Sequence, residues 1–75
     1  MTVRRYLIVI EGADGANYSA YAPDLLGVVA TGATREDCER EMQAAIAFHL
    51  EGLRDASEPV PEPSQLSATY VNVAA

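Results

Sequence analysis

The chain has no tryptophan or lysine, and only one cysteine, one histidine and one phenylalanine in 75 residues. A single cysteine, Cys38, forms no internal disulfide, and with one histidine there is no cluster of zinc-ligand spacing. One histidine, His49, also leaves no Ser/His/Asp arrangement to assemble. Basic residues are scarce: five arginines stand against eleven Asp and Glu, for a net charge of -6. That balance repels a phosphate backbone, so direct nucleic-acid binding is not expected. Long apolar runs are absent too. Tyr6 to Ile10 is too short for a signal-peptide core, and nothing approaches the ~20 apolar residues of a membrane span. A cytoplasmic protein is expected, which suits one unpaired thiol.

What is present is an ordinary globular composition, with a hydrophobic fraction of 49%. It reads as one domain over residues 1–75. A chain this short buries only roughly 60% of its unfolded surface, and without disulfide or metal its remaining device is self-association. A homo-oligomer, dimer or higher, is therefore expected.

The residue pattern divides cleanly. Val3 to Glu11 is rich in β-branched and aromatic residues and predicts a strand. Gly12-Ala13-Asp14-Gly15 supplies a tight connection, and Asn17 to Ala22 alternates with period two, predicting a hairpin. Pro23 stops that second strand, since it has no N–H for the ladder. Val28 to Thr31 predicts a short third strand. Thr34 begins a helix, with its hydroxyl placed to accept from the Asp37 N–H and the Asp37 carboxylate placed to reach back. The apolar positions Cys38, Met42, Ala45, Ile46, His49/Leu50 and Leu53 lie on one helical face. Gly52 interrupts this helix and marks either fraying or a close contact. Pro59-Val60-Pro61-Glu62-Pro63 predicts an extended crossover. Leu66 to Val73 predicts a fourth strand, beside the first or across a dimer interface. The expected fold is α+β, order β-β-β-α-β, an antiparallel meander sheet with one packed helix.

Candidate sites each meet a simpler reading. Asp14 and Asp24, with Glu11, can be imagined as a metal-dependent hydrolase site, but such sites need several converging carboxylates. Both aspartates fall in turns, where Asp is favoured for local hydrogen bonding. Cys38 opens the core-facing stripe and reads as a buried thiol. His49 reads as a packing residue, or as a pH-sensitive interface contact. Tyr6, Tyr18, Tyr21 and Tyr70 can be set as base-stacking residues, but only Arg4 and Arg5 are near; cross-strand packing is the simpler reading. The five glycines form no phosphate-binding motif. No catalytic, metal-binding or cofactor residue is assigned.

Three stretches occur in order: Tyr18-Ser19-Ala20-Tyr21-Ala22-Pro23-Asp24-Leu25-Leu26-Gly27, then Gly32-Ala33-Thr34-Arg35-Glu36, then the prolines after the helix. Together these resemble the HicB family, across roughly Tyr6 to Val73. Leu26 stands where that family often has Pro, and Val28 where it often has Cys; both swaps keep the site apolar. The resemblance implies a partial RNase H-like fold without the nuclease carboxylates. It also implies a non-catalytic antitoxin that oligomerises and masks a small basic HicA-type toxin ribonuclease. Many family members add a C-terminal DNA-binding module. This sequence stops at Ala75, so operator contact is not expected.

For partner binding, the acidic helix positions Glu36, Glu39, Glu51 and Asp55 are expected to supply charge complementarity. The turn around Asp24 is expected to present Leu25 or Leu26 as an apolar anchor. The alternative is a stand-alone oligomeric HicB-like protein with no toxin partner.

Overall fold

A computed structural model describes residues 3–75; Met1 and Thr2, at the start of the segment read for targeting, lie outside the described residues. Strand β1 spans Val9–Glu11, β2 Tyr18–Ala22 and β3 Leu25–Gly32, followed by helix α1 over Arg35–Asp55. The strands form one antiparallel meander in the order β1-β2-β3.

The register sorts the side chains into two faces. Ile10, Ala20 and Ala30 align across the three strands, as do Val9, Tyr21 and Val29 one step away. The first row faces the helix, since successive strand residues point to opposite sides. Its alanines are small, so the helix lies close. The core comprises Ala20, Ala22, Leu25, Val28, Cys38, Met42 and Leu50. Met42 and Cys38 are fully buried, and complete burial of a Met-sized side chain is worth about 1.5–3 kcal/mol. The predicted apolar stripe is the buried face: Cys38, Met42 and Leu50 are buried, and Ala45, Ile46 and Leu53 pack at its margins.

Helix ends follow local chemistry. Thr34 has extended backbone and accepts from the Asp37 N–H at 3.1 Å. The Asp37 carboxylate pairs with Arg40 instead of reaching back to the cap. At the far end Ser57 N–H donates to Arg54 C=O and Glu58 N–H to Leu53 C=O, at 3.0 and 2.8 Å. This is the paired closure of a Schellman motif, with Ser57 in the left-handed region at φ 57°.

Two expectations about strands need correction. The first strand was expected from Val3, but its paired part begins only at Val9. Its neighbour β2 ends at Ala22, and Pro23 has no N–H to offer, so residues 3–8 find no ladder there. The third strand is longer than expected, because Leu25 pairs with Ala22 across a two-residue turn. Between that pair and Tyr21↔Val29 the register shifts, and Leu26-Gly27-Val28 bulges out. Gly27 takes φ +84°, the left-handed conformation such a bulge uses.

A third correction concerns the fourth strand. Residues 66–73 form no strand within the chain. They are exposed, and among the described residues no backbone–backbone hydrogen bond reaches them. The proline crossover before them is anchored: the Tyr6 hydroxyl donates to the Pro61 carbonyl, and Arg4 pairs with Glu62 at 2.9 Å.

Candidate functional site

The bulge and the helix together build the most exposed apolar surface of the folded body. Leu26, pushed out beside Gly27, is 97% exposed. Phe48 on α1 is 79% exposed and Val29 on β3 66%. A shallow groove between the two elements is lined by Gly27, Val29, Phe48, His49, Gly52 and Leu53. The outer edge of β3 has no strand beside it, because β3 pairs only with β2. Exposed large side chains gathered along one edge mark a contact surface better than isolated ones do.

The acidic residues fall into two groups. Glu36, Glu39, Glu51 and Asp55 are all exposed on α1. At about 100° per residue, Glu39 and Asp55 point roughly 160° apart, and Glu36 and Asp55 are separated by about 28 Å along the axis. They form no single patch. Glu51 and Asp55 lie within about 60° of Phe48 around the helix and flank the apolar groove. Glu39 lines a different groove, with Arg4, Arg5 and Ile46.

At the turn, the two leucines divide. Leu25 is 2% exposed and belongs to the core, so only Leu26 presents itself as an anchor. Asp24 does not bond locally as a turn residue: its carboxylate accepts from the Ser64 N–H at 2.9 Å and from the Ser64 hydroxyl at 2.7 Å. Those donors, the backbone N–H foremost, stabilise the charged form and lower the Asp24 pKa below its ordinary 3.8. Asp24 thus latches the crossover onto the β2–β3 turn.

Asp14 is engaged too. It accepts from the Tyr18 hydroxyl at 2.8 Å, and that bond to the neutral phenol raises the Tyr18 pKa. Among the described residues, no group of three His, Cys, Asp or Glu side chains could hold a metal ion. Cys38 is fully buried, its Sγ 3.9 Å from the Ala30 carbonyl.

Sequence reasoning missed Val29 and Phe48. Phe48 carries a readable signal, an aromatic falling off the apolar stripe. Val29 has the parity opposite to buried Val28. Ser64 carries none, being 40 residues from its partner.

A model of the HicB-like antitoxins of bacterial toxin–antitoxin systems matches residues 6–74. The chain belongs to the HicB-like antitoxin family. No curated protein matches it. Set against this family, the Tyr18–Gly27 stretch has a clear structural part. It forms β2, the tight turn and the bulge that exposes Leu26. No α-helix among the described residues of this HicB-like chain is long and apolar enough to cross a membrane.

Proposed function

We propose that the chain is a non-catalytic antitoxin module that binds and masks a small basic HicA-type toxin ribonuclease in the cytoplasm. The observation that carries this reading is the β3–α1 groove, lined by exposed Val29 and Phe48, with exposed Leu26 next in the chain to its Gly27 and with Glu51 and Asp55 on the Phe48 side of the helix. A ribonuclease must present cationic residues to RNA phosphates, and a protein of net charge -6 complements such a surface. Buried aromatic and aliphatic anchors supply most of the affinity in interfaces of this kind, while rim carboxylates speed encounter. The reading treats residues 1–75 as one domain and the β-β-β-α order as a partial RNase H-like arrangement. Of the residues expected from sequence, it retains Leu26, Glu51 and Asp55 at the interface, adds Val29 and Phe48, and assigns Asp24 and Leu25 to support. Glu36 and Glu39 contribute only to the general field.

The test is co-expression with whatever small basic protein is encoded beside this chain; the absence of such a neighbour would itself count against the antitoxin reading. That protein alone is expected to arrest growth, and the chain is expected to restore it. Phe48→Asp is expected to lose at least tenfold in affinity for the toxin, with the helix intact by circular dichroism. Affinity of the unaltered pair is expected to fall as salt rises. Growth arrest that the chain does not relieve would remove the antitoxin reading. An unchanged affinity in Phe48→Asp would move the interface elsewhere.

A further inference from the structure

Gly52 lies inside α1, three residues before its end at Asp55. Glycine is the poorest helix former after proline, because it gives up the most backbone freedom. Nothing in the fold asks for it at this position. Its backbone is helical and outside the left-handed region. A Cβ built on it meets no atom within 4 Å, so close packing does not demand a glycine either.

What the missing side chain leaves is space in the β3–α1 groove. Gly52 and Gly27 both line that groove, and a Cβ on either would stand in the open. Gly27 has a local reason to be glycine, its φ of +84° in the bulge; Gly52 has none. The walls around them are apolar, with Val29, Phe48 and Leu53. Along the helix, exposed Phe48 stands between Ala45 and Gly52, three residues from one and four from the other. Residues so spaced share a face, so the ring rises between two small positions.

The rim of the groove is acidic. Exposed Glu51 and Asp55 lie about 100° and 60° around the helix from Gly52, while Arg54 points roughly 160° away. The other wall, Leu25–Gly32, carries no charged side chain.

We propose that Gly52 sets the specificity of this surface by keeping the groove open for one bulky apolar side chain of the basic partner. That side chain, aromatic or long aliphatic, seats over Gly52 and Gly27 against Phe48, and an arginine or lysine next to it meets Glu51 or Asp55. The inference rests on the toxin reading and adds to it what the toxin must present. A second copy of this chain is the poorer occupant: a two-fold contact sets a patch against itself, and here Glu51 and Asp55 would face their own copies. A side chain at position 52 therefore improves the helix and spoils the interface. Those opposite signs separate the proposal from ordinary destabilisation.

The test uses the full chain and the small basic protein encoded beside it. Gly52→Leu is expected to leave the thermal midpoint of the chain no lower, and to weaken the complex about tenfold or more by titration calorimetry. Each exposed aromatic, Leu, Ile and Met residue of the partner is then truncated to Ala. One truncation is expected to weaken binding to the unaltered chain by about tenfold or more, yet to cost Gly52→Leu less than about threefold, because the leucine already fills the space. Equal affinity of the unaltered chain and Gly52→Leu overturns the proposal and leaves the antitoxin reading standing. So does a partner in which every truncation adds independently to Gly52→Leu. A dimeric chain that becomes monomeric in Gly52→Leu makes the occupant a second copy and also overturns it. No binding by the unaltered chain removes the antitoxin reading and the proposal together. Should Gly52→Leu lower the midpoint, the coupling to a partner side chain decides alone.

Discussion

At the scale of single residues, two positions hold more of the structure than their types advertise. Gly32 ends β3 where the chain turns into α1. A Cβ built there would sit 2.5 Å from the Cys38 backbone N and 2.9 Å from its Cα. Backbone cannot swing aside like a side-chain tip, so Gly32→Ala must push the helix from the sheet. We expect a loss of about 1–3 kcal/mol, read from chemical denaturation. A stability within experimental error of the unaltered chain would show that the strand and helix can separate freely. Asp24 is the second. Its lowered pKa means that the latch to Ser64 is at full strength above pH 3.8 and is lost as pH falls through the lower value of the folded state. Exchange of the Ser64 amide is therefore expected to accelerate on acidification. In Asp24→Asn it is expected to be faster at neutral pH, with that acid-dependent step gone.

At the scale of elements, the helix was legible almost residue by residue. Its cap at Thr34, its buried stripe and its acidic first turn all follow from local rules that need no distant partner. Gly52 resolves differently from either sequence reading. It lies inside the helix rather than at a frayed end, and a Cβ there meets nothing within 4 Å. Gly52→Ala is accordingly expected to stabilise the fold by up to about 1 kcal/mol, seen as a higher midpoint in thermal melts. A lower midpoint would mean that the groove beside Phe48 needs the open space. The strands were legible in kind but not in extent. Period-two alternation identified β2. The start of β1 and the bulge in β3 depend on which neighbour is within reach, and alternation within one strand cannot say that.

At the scale of the whole molecule, opposite sheet edges have opposite characters. The β3 edge carries protruding apolar side chains near carboxylates, Leu26 and Phe48 above all. The β1 edge faces an uncharged extended segment across an open slot. Under the proposed function, a basic toxin meets the first. Composition pointed to association because 75 residues bury little surface. It could not say which edge does what. The sequence by itself determined the helix and its N-cap, the hairpin order of the strands, the identity of the core stripe and the family, because these rest on spacing between near neighbours. Only the tertiary structure decided that Leu25 is inside and Leu26 outside, that Asp24 reaches Ser64, and that residues 66–73 find no strand to join. Each of those outcomes depends on where distant segments lie once the helix has settled on the sheet, and hydrogen bonds form only between groups that the fold brings within reach.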